Sequence, residues 1–375
     1  MIKADILIVG SGLTGATIAR LLHDHGYSVR VLERRAHLGG NVHDYRHESG
    51  IWVHSYGPHY FRTASERIWE FVNRFAKFRP FAAELKTVVD GKLEDWPVTA
   101  EYLERIAGTD WKPSFTGTPK NFEEAALAQM PRPIYEKFVR DYTEKQWGVP
   151  AATLEAGLAG RFDVRTGPDR RLKTSTYQGL PEQGYAAFMR EFLKDIPVET
   201  GVDYLAHRSE FTGQKLTIFT GPIDEYFGFD LGHLVYRGQR REQIWIDDVK
   251  FKHPVVQVNF PAKEAGSFVR EIEWKHMMPG ADLDKINGTL ITREHPFTPE
   301  ITDQFEYPFP DEANRQLYAR YAEQADNIDG LVICGRLGEY RYYDMDQAIG
   351  RAMALVDKEI LKQLHSPEKN AAHSG

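Results

Sequence analysis

A single cysteine, Cys334, stands in 375 residues, so no internal disulfide framework braces this chain. No apolar stretch approaches the ~20 residues that a bilayer-spanning helix needs, which excludes membrane insertion by that route. Excess positive charge is also missing. The 47 Lys and Arg residues are spread along the chain against 54 Asp and Glu, for a formal charge of −7. Nucleic-acid binding therefore has no global electrostatic support. The first strand-like run starts within about five residues of Met1, which leaves no room for the charged and apolar regions of a secretory leader. With the lone cysteine, this points to a reducing, cytoplasmic setting. No internal repeat is visible and no metal-ligand set is assigned.

What is present is an ordinary globular composition, 42% hydrophobic and 27% charged, in a chain long enough for about two or three packed subdomains. Asp5-Ile6-Leu7-Ile8-Val9 reads as a buried parallel strand, residues 13–25 as a helix, and Tyr27 to Leu32 as a second strand ending at Glu33. That is a βαβ unit. Short strands around the Asp90-Gly91 turn are expected at 80–100, and mainly helix at 98–160. The Arg-rich segment Gly160 to Gly179 has no clear period and reads as a mobile loop. β-like runs, among them Lys215–Thr220 and Val255–Phe260, occupy 214–275. A strand at Leu331–Cys334 leads to a helix from about Asp346 to Gln363, and the tail from His365 is expected to be disordered.

Gly10-Ser11-Gly12-Leu13-Thr14-Gly15 lies between the first strand and the helix, the context a dinucleotide-binding fingerprint requires. The glycines permit a tight turn, a close pyrophosphate approach and close helix–strand packing, while the helix start favours phosphate. Glu33, 18 residues after Gly15, is placed to accept hydrogen bonds from ribose hydroxyls. Arg34-Arg35-Ala36-His37-Leu38-Gly39-Gly40-Asn41 follows. It resembles the acid-then-GG motif of the FAD-binding oxidoreductase superfamily, which implies FAD. A second GxGxxG is absent, so NADPH has no separate Rossmann domain.

Five further segments stand out: Tyr56 to Phe61 (YGPHYF), Tyr142 to Gly148 (YTEKQWG), Tyr177 to Pro181 (YQGLP), Thr220 to Asp224 (TGPID), and Gly335-Arg336-Leu337 with Tyr342 to Met345. Together they resemble the bacterial UDP-galactopyranose mutase family. The resemblance implies an α/β fold: a Rossmann-like FAD-binding domain, an inserted helical domain and an antiparallel β-sheet domain. The FAD-binding domain is expected at 1–80 with about 206–240 and 325–375. The helical substrate domain falls at about 98–160; the mobile loop and β-sheet take about 81–97, 161–205 and 241–324. The resemblance also implies an isomerase in which reduced flavin N5 attacks the anomeric carbon of a nucleotide-activated pyranose. An iminium then opens and re-closes as a furanose, with no net redox change.

On the matching positions, Arg165 and Arg270 correspond to the diphosphate-binding arginines, where a guanidinium fork suits phosphate oxygens. His59 corresponds to the histidine facing the flavin. Phe138 and Tyr142, four apart and so on one helical face, would hold the uracil base, with Asn259 as a further base contact. Trp147 would lie near sugar and flavin, Tyr177, Tyr307, Tyr342 and Asp344 at the diphosphate, and Arg237 and Arg336 between substrate and cofactor. Gly10, Gly12, Leu13, Thr14, Gly15, Glu33, Arg34, Gly40, Asn41 and Met345 complete the cofactor contacts. The implied partners are a UDP-hexose, an external reductant such as NAD(P)H and a second subunit.

Three places depart from the family pattern: Arg62 replaces its second histidine, Gly238-Gln239 its Ser-Leu, and Arg171-Leu172 its Tyr-Phe. An arginine at 62 is reminiscent of the branch that accepts 2-acetamido sugars. UDP-galactopyranose is the leading substrate, with UDP-N-acetylgalactosamine or a deoxyhexose nucleotide as alternatives for the same chemistry. An FAD-dependent amine oxidase, or a flavoprotein kept for binding alone, are the readings from other classes.

Overall fold

The computed structural model describes residues 4–365 apart from 163, 166 and 168, so the tail beyond 365 lies outside the described residues. The chain opens with β1 (Ala4–Val9), α1 (Leu13–Asp24) and β2 (Val29–Glu33). Along β1 the side chains alternate between two cores. Ile6 and Ile8 pack with Ile18 and Leu22 on the α1 side, and Leu7 packs with Leu32, Tyr204 and Phe219 on the other. Burial on both faces is what a parallel strand needs, and it explains the unbroken apolar run. β1 and β2 belong to a five-stranded sheet ordered Val198–Thr200, β2, β1, Gly213–Phe219 and Leu331–Ile333, parallel throughout.

A second sheet has seven strands, ordered Tyr307–Pro308, Tyr236–Ile246, Thr289–Phe297, Arg270–Glu273, Gln257–Asn259, Leu85–Val89 and Lys92–Trp96. It is not purely antiparallel, because Gln257–Asn259 pairs parallel to Leu85–Val89, two strands contributed by separate excursions of the chain. The turn at Asp90 and Gly91 has positive φ at both residues, 51° and 75°, as a two-residue hairpin demands. Beside the seven-stranded sheet lies a helical region, Ala100–Ala107, Phe122–Leu127 and Arg132–Ile134 leading to Asp141–Trp147.

Several boundaries differ from the sequence reading. Val198–Thr200 joins the parallel sheet beside β2, and the helix Gly184–Phe192 packs on α1, so this stretch does not belong with the β-sheet unit. Conversely, the long strand Tyr236–Ile246 starts inside the range given to the FAD-binding unit yet lies in the seven-stranded sheet. The helix Glu312–Asp326 packs on Leu331–Ile333 of the parallel sheet. The expected loop at 160–179 ends in a strand, Tyr177–Pro181, held between Phe61–Thr63 and Phe78–Pro80. Tyr135–Arg140 forms a π-helical turn, so Phe138 and Tyr142 are not one regular α-turn apart. Among the described residues, no helix is long and apolar enough to cross a membrane.

Candidate active site

Helix α1 begins at Gly12 with no side-chain cap, leaving its first amides for a ligand. A Cβ built on Gly12 meets nothing within 4 Å, whereas one on Gly15 would come 2.1 Å from the carbonyl oxygen of Gly10. The first position is open to a pyrophosphate; the second is glycine because helix and strand touch there. Glu33 Oε2 accepts from the Ser11 N–H at 2.9 Å and its hydroxyl at 2.7 Å, and Oε1 accepts from the Arg35 N–H at 2.9 Å. A carboxylate has about four acceptor positions, so room is left for a ribose hydroxyl. The resulting cradle, about 210 Å³, is lined by Gly10, Gly12, Leu13, Thr14, Gly15, Glu33, Arg34, Gly40, Asn41, His59, Arg336 and Met345. Every cofactor-contact residue named from the sequence is therefore on one wall system, and open glycine, uncapped helix and acceptor carboxylate fit a dinucleotide.

The cradle opens into a larger chamber of about 550 Å³. Asn41, His59, Arg336, Asp344 and Met345 line both spaces and form the passage between them. Arg62, Phe138, Tyr142, Trp147, Asn259, Arg270, Tyr307 and Tyr342 line the chamber. Tyr307 and Tyr342 stack with centroids 5.9 Å apart, and the Arg336 guanidinium lies over both rings. Asp344 caps the helix Met345–Leu355 while accepting from Tyr342 Oη at 3.1 Å and from Arg62 at 2.8 Å. Asn259 Oδ1 accepts from the buried Gln257 amide at 2.8 Å, so the Asn259 amide nitrogen is the end left to the chamber.

Beneath the chamber runs a chain of alternating charge. Arg270 grips Glu294, its cross-strand partner, through two guanidinium nitrogens. Arg241 bonds Glu294 at 3.1 Å and holds both oxygens of Glu306 at 2.8 Å. Burial pushes the Glu294 carboxyl up, but Arg270 and Arg241 outweigh it and hold it below the usual carboxylate range. His59 is pushed down to about 3, first by burial and then by Arg336, Arg241 and Arg270. A neutral His59 places its Nδ1 proton on the Gly57 carbonyl at 2.7 Å, which leaves Nε2 as an acceptor.

Three predicted residues are not brought to the chamber wall. The Arg165 guanidinium donates to the backbone carbonyls of Arg171 and Leu172 in its own segment. The Tyr177 ring stacks on Trp69 at 5.4 Å. Arg237 is buried under Gly148 and donates to the Gln146 carbonyl at 2.9 Å and Thr298 Oγ1 at 2.6 Å. There it complements the C-terminal end of the helix Asp141–Trp147 rather than reaching a ligand. Conversely, Glu306, Gln146 and Gln257 line the chamber and Glu294 and Arg241 support it, none of them named from the sequence. The only signal for the last pair was two charges on strands whose register was unknown.

A family model described as UDP-galactopyranose mutase matches residues 137–342, and one described as an NAD(P)-binding Rossmann-like domain matches residues 8–75. The chain belongs to the UDP-galactopyranose mutase family. Similar proteins include a probable UDP-galactopyranose mutase of Klebsiella pneumoniae, 28% identical with 98% of each chain covered. The dTDP-fucopyranose mutase of Escherichia coli is 29% identical over 93% of this chain and 96% of its own. A solved structure of reduced UDP-galactopyranose mutase shares the fold, with a TM-score of 0.73 at 16% identity over 97% of this chain and 96% of that one.

Proposed function

We propose that this protein is a flavin-dependent mutase that interconverts the pyranose and furanose forms of a nucleotide-activated hexose, with UDP-galactopyranose as the leading substrate. The carrying observation is the passage at His59, Arg336, Asp344 and Met345, through which a dinucleotide cradle opens directly onto a chamber with aromatic and guanidinium walls. Bound and reduced, FAD supplies the nucleophile for the anomeric carbon. The chain supplies position, charge and dryness. Phe138 and Tyr142 offer ring faces for the base, and Arg270 offers a fork already oriented by Glu294 for the diphosphate. Tyr307 and Tyr342 present hydroxyl groups beside it; burial pushes the Tyr307 phenol up to about 12, so it stays a donor. His59, neutral and with Nδ1 committed to Gly57, accepts a hydrogen bond at the passage without titrating.

In and beneath the chamber the guanidinia of Arg62, Arg241, Arg270 and Arg336 face the carboxylates of Glu294, Glu306, Asp344 and Asp346. Lys173 also lines the chamber, so among the described residues a doubly charged diphosphate meets one cation beyond that balance. Arg165 is the residue that would supply a second, after exchanging its backbone carbonyls for phosphate oxygens as its segment closes. In this reading an external reductant such as NAD(P)H sustains the cofactor, and the working unit is a cytoplasmic homodimer.

The same chemistry on another sugar nucleotide is favoured by Arg62, paired with Asp344 on the chamber wall where a histidine is usual, and by the similarity to a dTDP-fucopyranose mutase. Product formation should be assayed with UDP-galactose, UDP-N-acetylgalactosamine and a deoxyhexose nucleotide, using oxidised and dithionite-reduced enzyme. Equal turnover in both redox states would sink the proposal. Trapping the flavin adduct with cyanoborohydride and weighing it identifies the sugar.

A further inference from the structure

Gln146 is held at two points by one strand. Its main-chain carbonyl accepts from Arg237 Nε at 2.9 Å, and its side-chain carbonyl accepts from Gln239 Nε2 at 3.0 Å. Residues 237 and 239 lie on the same face of the strand Tyr236–Ile246, so the two grips are set by its period of two. Gln239 is buried, and its own side-chain carbonyl oxygen is without a hydrogen-bond partner among the described residues. Turned over alone, Gln239 would set its carbonyl oxygen against that of Gln146, two acceptors with no proton between them, so the two amides are oriented as a pair. With its oxygen engaged, Gln146 has one polar group left, the amide Nε2. The residue lines the chamber.

We propose that Gln146 is a specificity-determining hydrogen-bond donor to an oxygen of the hexose, and that Gln239 is the positioning residue that fixes its orientation. This rests on the nucleotide-sugar reading given above. The location argues for the sugar. Phe138, on the helical stretch that runs into Asp141–Trp147, stacks on Trp96 at the chamber wall. Gln146 lies at the other end of that helix, next to Trp147 and against the strand whose neighbour carries Tyr307. A donor fixed in this way discriminates by leaving itself unpaired when the matching oxygen is missing or displaced.

The test compares the affinities of oxidised FAD-holoenzyme for UDP and for UDP-galactose by calorimetry, for wild type, Gln146→Leu, Gln146→Glu, Gln239→Met and the double variant Gln146→Leu/Gln239→Met. UDP has no hexose, so its affinity should stay within about threefold in every variant. The UDP-galactose affinity should fall about tenfold in Gln146→Leu and in Gln239→Met, the loss of one neutral hydrogen bond. The double variant should be no worse than Gln146→Leu alone. Gln146→Glu replaces the donor with an acceptor and should lose at least as much. Equal losses for UDP and UDP-galactose, or no loss for either, would overturn the inference, as would a Gln146→Glu enzyme that keeps its sugar affinity. A wild-type holoenzyme that binds none of UDP, UDP-galactose and a dTDP-hexose would overturn the nucleotide-sugar reading itself, which separates the two failures.

Discussion

Consider replacing Arg270 with methionine. The change removes one cation from Glu294, a carboxylate with no exposed side-chain surface, and leaves Arg241 at 3.1 Å as its remaining charged partner. Stripping a buried ion of its partner altogether costs about 3–5 kcal/mol, so with one arginine retained about 2 kcal/mol of stability should go. Replacing Glu294 with glutamine instead relieves the burial of an ion but strands Arg270, which lies beside the chamber and is partly hydrated; about 1 kcal/mol is expected. If the two act as one unit, the double variant should recover about 1–2 kcal/mol relative to the sum of the singles. Urea unfolding of the four proteins, loaded with FAD, measures that coupling. UDP affinity is read separately. It should fall by roughly 30- to 1000-fold, about 2–4 kcal/mol, in both variants that lack Arg270, because restoring the fold does not restore the fork. Stability losses that add within about 0.5 kcal/mol would refute the paired account of this site. Unchanged UDP binding in Arg270→Met would refute its role at the diphosphate.

The glycines make a contrasting pair. Gly12→Val points into open space, so the apoprotein should melt as wild type but elute without flavin absorbance; Gly15→Ala drives a Cβ towards the Gly10 carbonyl and should lower the apoprotein melting temperature itself. Acid should weaken the fold through His54 and His59. Burial depresses both, and His59 to about 3, so between about pH 4 and 6.5 the unfolded chain binds protons that the folded one does not. Stability therefore rises with pH across that window, by up to about 1.4 kcal/mol per pH unit for each histidine, and urea midpoints at pH 5 and 6.5 should show it. Arg62→Ala removes the 2.8 Å partner of Asp344 at the chamber wall, and should cut turnover of the preferred sugar nucleotide at least about tenfold while UDP affinity changes little. Uniform turnover across the sugar panel would argue that Arg62 is only a surface charge.

The dinucleotide half was legible because its requirements are local. A strand, a glycine turn, a helix start and an acid follow one another in 30 residues, and each residue's reason lies within that stretch. Sheet membership was not legible in the same way. Val198–Thr200 is only three residues long, and nothing in Val-Glu-Thr states that its neighbour is β2 rather than a strand of the second sheet. That choice is made by where the helix Gly184–Phe192 delivers the chain against α1. Likewise the π-turn at Tyr135–Arg140 shifts the face that Phe138 presents, a change of period that side-chain pattern alone does not announce.

The site follows the same division, and Arg237 and Arg241 show why. Both are arginines of one strand, and both sit in its ordinary alternation. Arg237 was legible by resemblance as a ligand contact, yet its guanidinium is spent on the end of the helix Asp141–Trp147. Arg241 drew no notice, yet it joins Glu294 and Glu306 and so fixes the fork of Arg270 from below. What separates them is register against Thr289–Phe297 and Tyr307–Pro308, strands about 50 to 70 residues away. A motif names the residues that touch a ligand where the backbone itself makes the site, as at Gly12. Where side chains from distant strands make it, the motif locates the neighbourhood, and the pairing of charges decides which residue reaches the ligand and which holds the one that does.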